Sequence, residues 1–246
     1  MSDDSLKASE MNDMAIKLSQ KNTDDDLMVA EKIKAIPNQT HHTEAEYFQA
    51  MGVISRKKKD YKSSIDYHKK AVQRYTVNSN YPQLVNSEGA IALALMESGN
   101  RKEAEVYFEK AIESGKKSGD PELVDDAYKE YTGAVANAGD YAGKLKLLNE
   151  KLHYFEKTKE SNPFSYGAVL IEISYHFFHM DRNQDTLNYI LDARPYVEKA
   201  NNEFQMLDCY NTTGGIYKNL KKMPEAITYF HKTIELLEKP GSKFKQ

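Results

Sequence analysis

The stretch YNTTGGIYKNLKKMPEAITYF, residues 210–230, is the clearest copy of a pattern that recurs along this 246-residue chain. Its informative positions are Tyr210, Thr213, Gly214, Tyr217, Ala226 and Phe230. The small residue of this pattern recurs every 40 to 42 residues, at Gly52, Ala92, Thr132, Ser174 and Gly214. A fixed period of roughly 20–50 residues is typical of stacked supersecondary units. The sequence therefore predicts an array of five repeats. Such an array favours a binding function over a catalytic one.

The spacing within residues 210–230 follows the pattern W-x2-L-G-x2-Y…A-x3-F, with aromatic residues in place of the Trp and Thr213 in place of the Leu. The second copy keeps the same register, with Ile91, Ala92, Leu95, Ala104, Phe108 and Ala111. Over roughly residues 43–238 the chain resembles the tetratricopeptide repeat family. The resemblance implies an all-α fold, a right-handed α-solenoid of helical hairpins.

Helical periodicity supports this fold without the resemblance. One apolar stripe at three- and four-residue steps comprises Ala104, Tyr107, Phe108, Ala111 and Ile112. Short turn signals separate paired helices, as at Ser98-Gly99-Asn100 and Ala138-Gly139-Asp140. Asp120 before Pro121 predicts a helix start, and Asn80-Tyr81-Pro82 and Ser161-Asn162-Pro163 do the same. The small residue in each first helix is expected to let the two helices of a hairpin approach closely.

The period divides the chain into three segments. Residues 1–38 are predicted to form a degenerate N-terminal hairpin, residues 39–240 the five repeats, and residues 241–246 a tail. A unit of about 40 residues exceeds the usual ~34, by nearly one turn per helix. Such long units resemble those of bacterial peptide-pheromone receptors and of sensor domains in bacterial signalling proteins.

Composition narrows the classes of partner. A net charge of −3 gives no electrostatic attraction to nucleic acid or anionic lipid, so we expect no direct contact with nucleic acid and no membrane insertion. The single cysteine, Cys209, is compatible with a reducing compartment. Since the first residues contain no apolar signal segment, the cytoplasm is expected, with an extracytoplasmic location as the alternative for an excised sensor fragment.

The sequence does not predict an enzyme or a cofactor. It contains no Gly-rich phosphate loop, no G-x-S-x-G and no H-E-x-x-H. His176 and His179 have a spacing at which two histidines can share a metal, but no Cys or second His pair accompanies them. A metal site is therefore not predicted.

Ligand binding is expected on the first helices of the hairpins, which line the concave face of the family's arrays. Projecting helical spacing from each small residue, and adding nearby Asn residues, selects fifteen candidates: Gln49, Val53, Arg56, Asn86, Gly89, Leu93, Met96, Lys129, Gly133, Asn137, Ile171, Tyr175, Phe178, Asn211 and Lys218. This lining suits an extended or helical peptide with an apolar side chain near its middle. The Asn amides, with Asn219, offer a donor and an acceptor to its backbone. The alternative is that the aromatic residues pack in the core and the Asn side chains are only solvated.

The predicted function is thus a non-catalytic peptide- or protein-binding module, as the sensing or interaction part of a bacterial signalling or regulatory protein. The competing hypothesis is a scaffold or homo-oligomerisation domain. It follows from the last helix, whose apolar residues Phe230, Ile234 and Leu237 have no predicted helix to cover them. In that case the partner is a second copy of the chain.

Overall fold

The computed structural model describes residues 6–7, 10, 23–36, 40–241 and 244. Eleven helices are defined in these ranges: α1 Thr23–Lys34, α2 His41–Lys57, α3 Tyr61–Val77, α4 Tyr81–Glu97, α5 Arg101–Ser118, α6 Pro121–Asn137, α7 Tyr141–Glu156, α8 Pro163–Phe178, α9 Asn183–Ala200, α10 Glu203–Asn219 and α11 Met223–Glu238. The described part of the chain contains no strand, which confirms the all-α prediction. The first helix of the predicted N-terminal hairpin falls mostly outside the described residues.

Two compact units divide the chain, one ending at Ala134 and the other beginning at Val135. In the first unit, helices α1 to α5 pack consecutively, and Phe108 of α5 stacks on Tyr131 of α6. In the second unit, α7 to α11 pack consecutively. Each unit is therefore a stack of neighbouring helices, as expected of repeat proteins.

Polar side chains begin the helices where the sequence predicts them to. The Asn80 and Asn162 carboxamide oxygens accept the backbone N–H groups of Gln83 and Ser165, at 3.4 and 3.2 Å. The Asp120 carboxylate accepts the N–H of Glu122 at 2.9 Å. Each bond satisfies an N–H group that has no partner within its own helix. The predicted helix starts at these three positions are confirmed.

The recurring small residues bring the helices of each hairpin together. A Cβ atom on Gly52 would lie 2.5 Å from the His68 ring, and one on Gly214 would lie 2.8 Å from the Phe230 ring. Such distances leave no room for a side chain, so the predicted steric reason for a small residue is confirmed at these two positions. Ala92 and Ser174 are likewise fully buried.

The core of the second unit is a cluster shared by α8, α9 and α10. Its buried members are Leu170, Ile171, Leu187, Ile190, Ala193, Val197, Cys209 and Ile216. Burial raises the pKa of the Cys209 thiol to about 12, as expected for a cysteine that packs as a small apolar residue. No helix within the described ranges combines the length and the apolar character needed to cross a bilayer.

Candidate functional site

The second unit contains a cavity of about 400 Å³ between α8, α10 and α11. Its lining residues are Tyr175, Phe178, Asn211, Thr212, Gly215, Ile216, Lys218, Asn219 and Phe230. Four of them, Tyr175, Phe178, Asn211 and Lys218, belong to the set selected from the sequence. The structure thus brings the predicted candidates of the fourth and fifth repeats together, apart from Ile171.

Tyr175 links α8 to α10 at this cavity. Its hydroxyl donates a hydrogen bond to the Asp208 carboxylate and lies 3.3 Å from the Thr212 hydroxyl. Burial, and then the hydrogen bond to Asp208, raise the pKa of Tyr175 to about 12. The phenol therefore remains protonated at neutral pH, and its ring position is fixed between the two helices.

The walls of the cavity differ in character. Phe178 and Phe230 provide aromatic surface, and Phe178 is 40% exposed. Asn211, Lys218 and Asn219 are exposed and supply amide and ammonium groups. A Cβ atom on Gly215 would meet nothing within 4 Å, so the missing side chain at this position leaves open space. The lining thus combines apolar surface with several polar groups, and both are found in binding pockets.

Sequence reasoning did not select several residues of this site. Asp208 lies one turn before Thr212 on α10, and both meet a tyrosine about 35 residues earlier in the chain. Phe230 was identified as a position of the repeat pattern and as an uncovered apolar residue of the last helix, but not as a ligand-binding residue. The pairing of α8 with α10 follows from the repeat, but the pattern does not say which polar side chains meet across it.

In the first unit, the Glu130 carboxylate occupies the space that a side chain on Gly89 would fill. Burial raises the pKa of Glu130 to about 7, and neighbouring Asp126 adds to this effect, whereas the positive charge of Arg56 opposes it. Gly89 and Arg56 are both predicted groove residues. Lys129, another predicted groove residue, is exposed and forms an ion pair with Asp125 on its own helix.

The remaining candidates lie in varied environments. Gln49 is 4% exposed, and its amide bonds both Gln83 and the Tyr75 hydroxyl, at 3.0 and 3.1 Å. Ile171 is 5% exposed within the core of the second unit. Neither side chain offers a surface to a ligand in this conformation. The half-buried candidates are Val53, Leu93 and Met96, and the exposed ones are Asn86, Gly133 and Asn137.

No group of three or more His, Cys, Asp or Glu side chains suited to a metal ion occurs among the described residues. His176 and His179 lie near the end of α8, where they line a second cavity with Tyr141, Lys144 and Met180.

Residues 89–114 match the model of the tetratricopeptide repeat family. This match lies within the second of the five repeats and confirms the predicted resemblance. No curated protein sequence matches the chain. Evidence on relatives therefore comes from solved structures.

Solved structures that resemble the fold include the following three. RapI in its apo form has a TM-score of 0.63 at 13% identity, over 87% of this chain and 60% of RapI. BtubC from P. vanneervenii has a TM-score of 0.56 at 10% identity, over 88% and 89% of the two chains. A STAND signal transduction ATPase with a tetratricopeptide repeat sensor, from Pyrococcus horikoshii, has a TM-score of 0.53 at 18% identity, over 90% of this chain and 36% of the ATPase.

At these identities the likeness concerns the fold alone. The chain spans 60% of the length of RapI and about a third of the ATPase. All three comparisons cover most of this chain, and together with the family match they confirm a tetratricopeptide-like helical repeat fold.

Proposed function

We propose that this chain is a non-catalytic module that binds a peptide or protein segment, and that the cavity lined by Tyr175, Phe178 and Phe230 receives one apolar side chain of that segment. The observation that carries the proposal is the composition of this cavity, with aromatic walls and exposed amide groups within about 400 Å³. A repeat fold with a structural neighbour that contains a tetratricopeptide repeat sensor supports a binding role.

The chemistry of the cavity defines the segment that it would bind. Open space at Gly215 lets an apolar side chain enter between Phe178 and Phe230. Asn211 and Asn219 can each donate to and accept from the backbone of an extended peptide. Lys218 favours a carboxylate next to the apolar residue. We therefore expect a segment with one large apolar residue and an adjacent acidic group.

The setting that we propose is the sensing or interaction part of a bacterial signalling or regulatory protein. One structural neighbour carries a tetratricopeptide repeat sensor, and another was solved in an apo form. A cytoplasmic location is part of the proposal, supported by an unpaired, buried Cys209.

A displayed library of random twelve-residue peptides tests the binding proposal. Peptides selected on the folded protein should bind the Phe178→Ala variant about tenfold or more weakly, because an aromatic anchor in a pocket contributes strongly to affinity. Phe164→Ala is the matched control, since Phe164 is also exposed, lies on the same helix and does not line the cavity. Failure to enrich any peptide, or equal weakening by both variants, would contradict the proposal.

The competing hypothesis is a scaffold that pairs with a second copy of itself. Of the three residues that suggested it in the sequence, Ile234 is exposed, whereas Phe230 and Leu237 are only partly exposed. Met223 and Ile227 share a face of α11 with Ile234 by spacing, and these three are 48–52% exposed. Sedimentation equilibrium separates the two functions. The scaffold would be favoured by two results together. The wild-type protein would be a dimer that Ile227→Lys and Ile234→Lys convert to a monomer, and it would enrich no peptide.

A further inference from the structure

The last turn of α8 lies between two cavities of the second unit. Tyr175 and Phe178 line the cavity discussed above, whereas His176 and His179 line another of about 460 Å³. Tyr141 and Lys144 of α7 complete this second cavity, which is therefore formed by two helices that pack against each other. The proposed function does not use it.

Nitrogen and hydroxyl donors surround the second cavity. Lys144 contributes an ammonium group, His176 and His179 contribute imidazoles, and Tyr141 contributes a phenol. None of the described residues that line it is acidic. The arrangement therefore lacks the carboxylate that normally neutralises such a cluster.

His176 is the unusual member of this group, because it is only 4% exposed. Within the described part of the chain, its imidazole makes ring contact with Phe177 but no hydrogen bond. Burial lowers the pKa of His176, and the positive charges of Lys144, Arg182 and His179 lower it further. Because His176 lines the cavity, its ring is available to donate a hydrogen bond to a ligand that accepts one.

Two acidic groups of the surrounding elements are engaged with other partners. At the start of α7, the Asp140 carboxylate accepts the N–H of Gly143 at 2.8 Å. On α9, the Asp185 carboxylate accepts from Arg182 at 2.8 Å. The positive charges of Lys144, Arg182 and His179 all act on His176, and a positive field favours an anion.

We propose that the cavity lined by Lys144, His176 and His179 binds a phosphate group, either free or carried on a small phosphate ester. A tetrahedral dianion can accept hydrogen bonds from several donors at once, and charge-assisted bonds of this kind are strong. The volume exceeds that of one phosphate group, so it has room for the organic part of an ester. This site is independent of the peptide-binding proposal.

Isothermal titration calorimetry with inorganic phosphate and with glucose 6-phosphate, at constant ionic strength set by sodium chloride, tests the site. Wild-type protein should bind at least one of the two saturably. Tighter binding of the ester would identify a phosphate ester as the ligand, and equal binding would identify free phosphate. Lys144→Met should weaken binding tenfold or more, because it removes the one permanent charge that lines the cavity.

Lys146→Met is the matched control, since Lys146 is two residues away on α7, 80% exposed, and pairs with Glu150. It should leave the affinity unchanged. Because His176 is buried, its ring is monitored by NMR in the wild-type protein, where phosphate should shift the His176 and His179 signals. No saturable binding, equal weakening by both lysine variants, or unchanged histidine signals would overturn the proposal.

Discussion

His68 and Glu130 are ionisable residues of the first unit, and the fold gives them opposite effects on stability as the pH changes. His68 is 1% exposed beneath Gly52, and neither of its ring nitrogens has a hydrogen-bond partner in the described part of the chain. Glu130 is largely buried against Gly89. Each group is uncharged when the fold is most stable, because burial disfavours the charged form.

The fold becomes less stable in acid because of His68. Burial lowers the pKa of His68 from 6.5 to about 3, so the unfolded chain binds a proton at a pH where the folded one does not. The contribution of neutral His68 to the free energy of unfolding is complete above pH 6.5. It is lost as the pH falls toward 3, by at most about 1.4 kcal/mol per pH unit. His68→Leu should flatten the decline in the unfolding temperature between pH 6.5 and 4.5. An unchanged slope would contradict this account of His68.

Glu130 has the opposite effect. Its pKa is raised from 4.5 to about 7, so the folded state keeps a proton that the unfolded chain releases, and stability falls as the pH rises between these values. Glu130→Gln keeps the shape of the side chain without its charge. We expect the variant to be more stable than wild type by about 1–3 kcal/mol at pH 8 and equal to it at pH 4.5. Urea unfolding at the two pH values measures the difference, and an equal difference at both would contradict the prediction.

At the scale of helices and turns, one backbone feature recurs at almost every junction. A residue one to three positions beyond the end of a helix adopts a left-handed conformation with positive φ, at positions about 20 apart: Lys59, Ser79, Gly99, Gly119, Gly139, Asp181, Asn201 and Lys221. Glycine adopts this conformation without strain, whereas other residues lose about 1–2 kcal/mol. The sequence therefore predicted the turns at Gly99 and Gly139 and gave no signal at Lys59.

Substitutions at these junctions should change stability in opposite directions. Lys59→Gly should raise the free energy of unfolding by about 0.5–1 kcal/mol, because it relieves backbone strain at φ +60°. Gly139→Ala should lower the free energy of unfolding by about 1 kcal/mol, because φ there is +76°. A Cβ at this position would meet no other atom within 4 Å, so backbone strain alone would account for the loss. Thermal unfolding measures both, and a loss of stability in Lys59→Gly would contradict the interpretation.

Lys151 joins α7 to α8 through an ion pair that the sequence did not indicate. Its side chain is fully buried, and its ammonium lies 2.8 and 3.0 Å from the two Glu172 oxygens. Glu172→Gln should destabilise the second unit by about 3 kcal/mol, because it leaves a buried charge without its carboxylate. Lys151→Met should cost less, since it removes the charge itself. Denaturant unfolding compares them, and a larger loss in Lys151→Met would contradict this reasoning.

The sequence predicted helices better than it predicted surfaces. The repeat period predicts where the helices begin, end and pair. Backbone groups at helix ends need hydrogen-bond partners, and two helices that approach closely need a small residue between them. It does not fix which polar side chains lie at the surface. Gln49 was selected for the groove, yet it bonds two core neighbours, and Gly89 lies beneath Glu130. Such contacts depend on side chains from different repeats, which a local pattern does not relate.

At the scale of the whole molecule, the described chain consists of two compact units with a common repeat architecture but different chemical features. The first unit has the buried carboxyl group of Glu130. The second has two cavities on either side of the end of α8. The binding functions that we propose therefore belong to the second unit, and the repeat fold acts as the support that positions their side chains.

Filling the cavity at Gly215 tests whether this cavity is the peptide site. Because a Cβ at this position meets nothing within 4 Å, Gly215→Leu should fold with an unchanged or higher unfolding temperature while its side chain occupies the cavity. Ala142→Leu, at an exposed position of α7, is the control for an added apolar side chain. We predict that peptides selected on the wild-type protein bind Ala142→Leu normally and lose all measurable binding to Gly215→Leu. Equal binding to folded wild-type and Gly215→Leu proteins would contradict the assignment of the peptide site to this cavity.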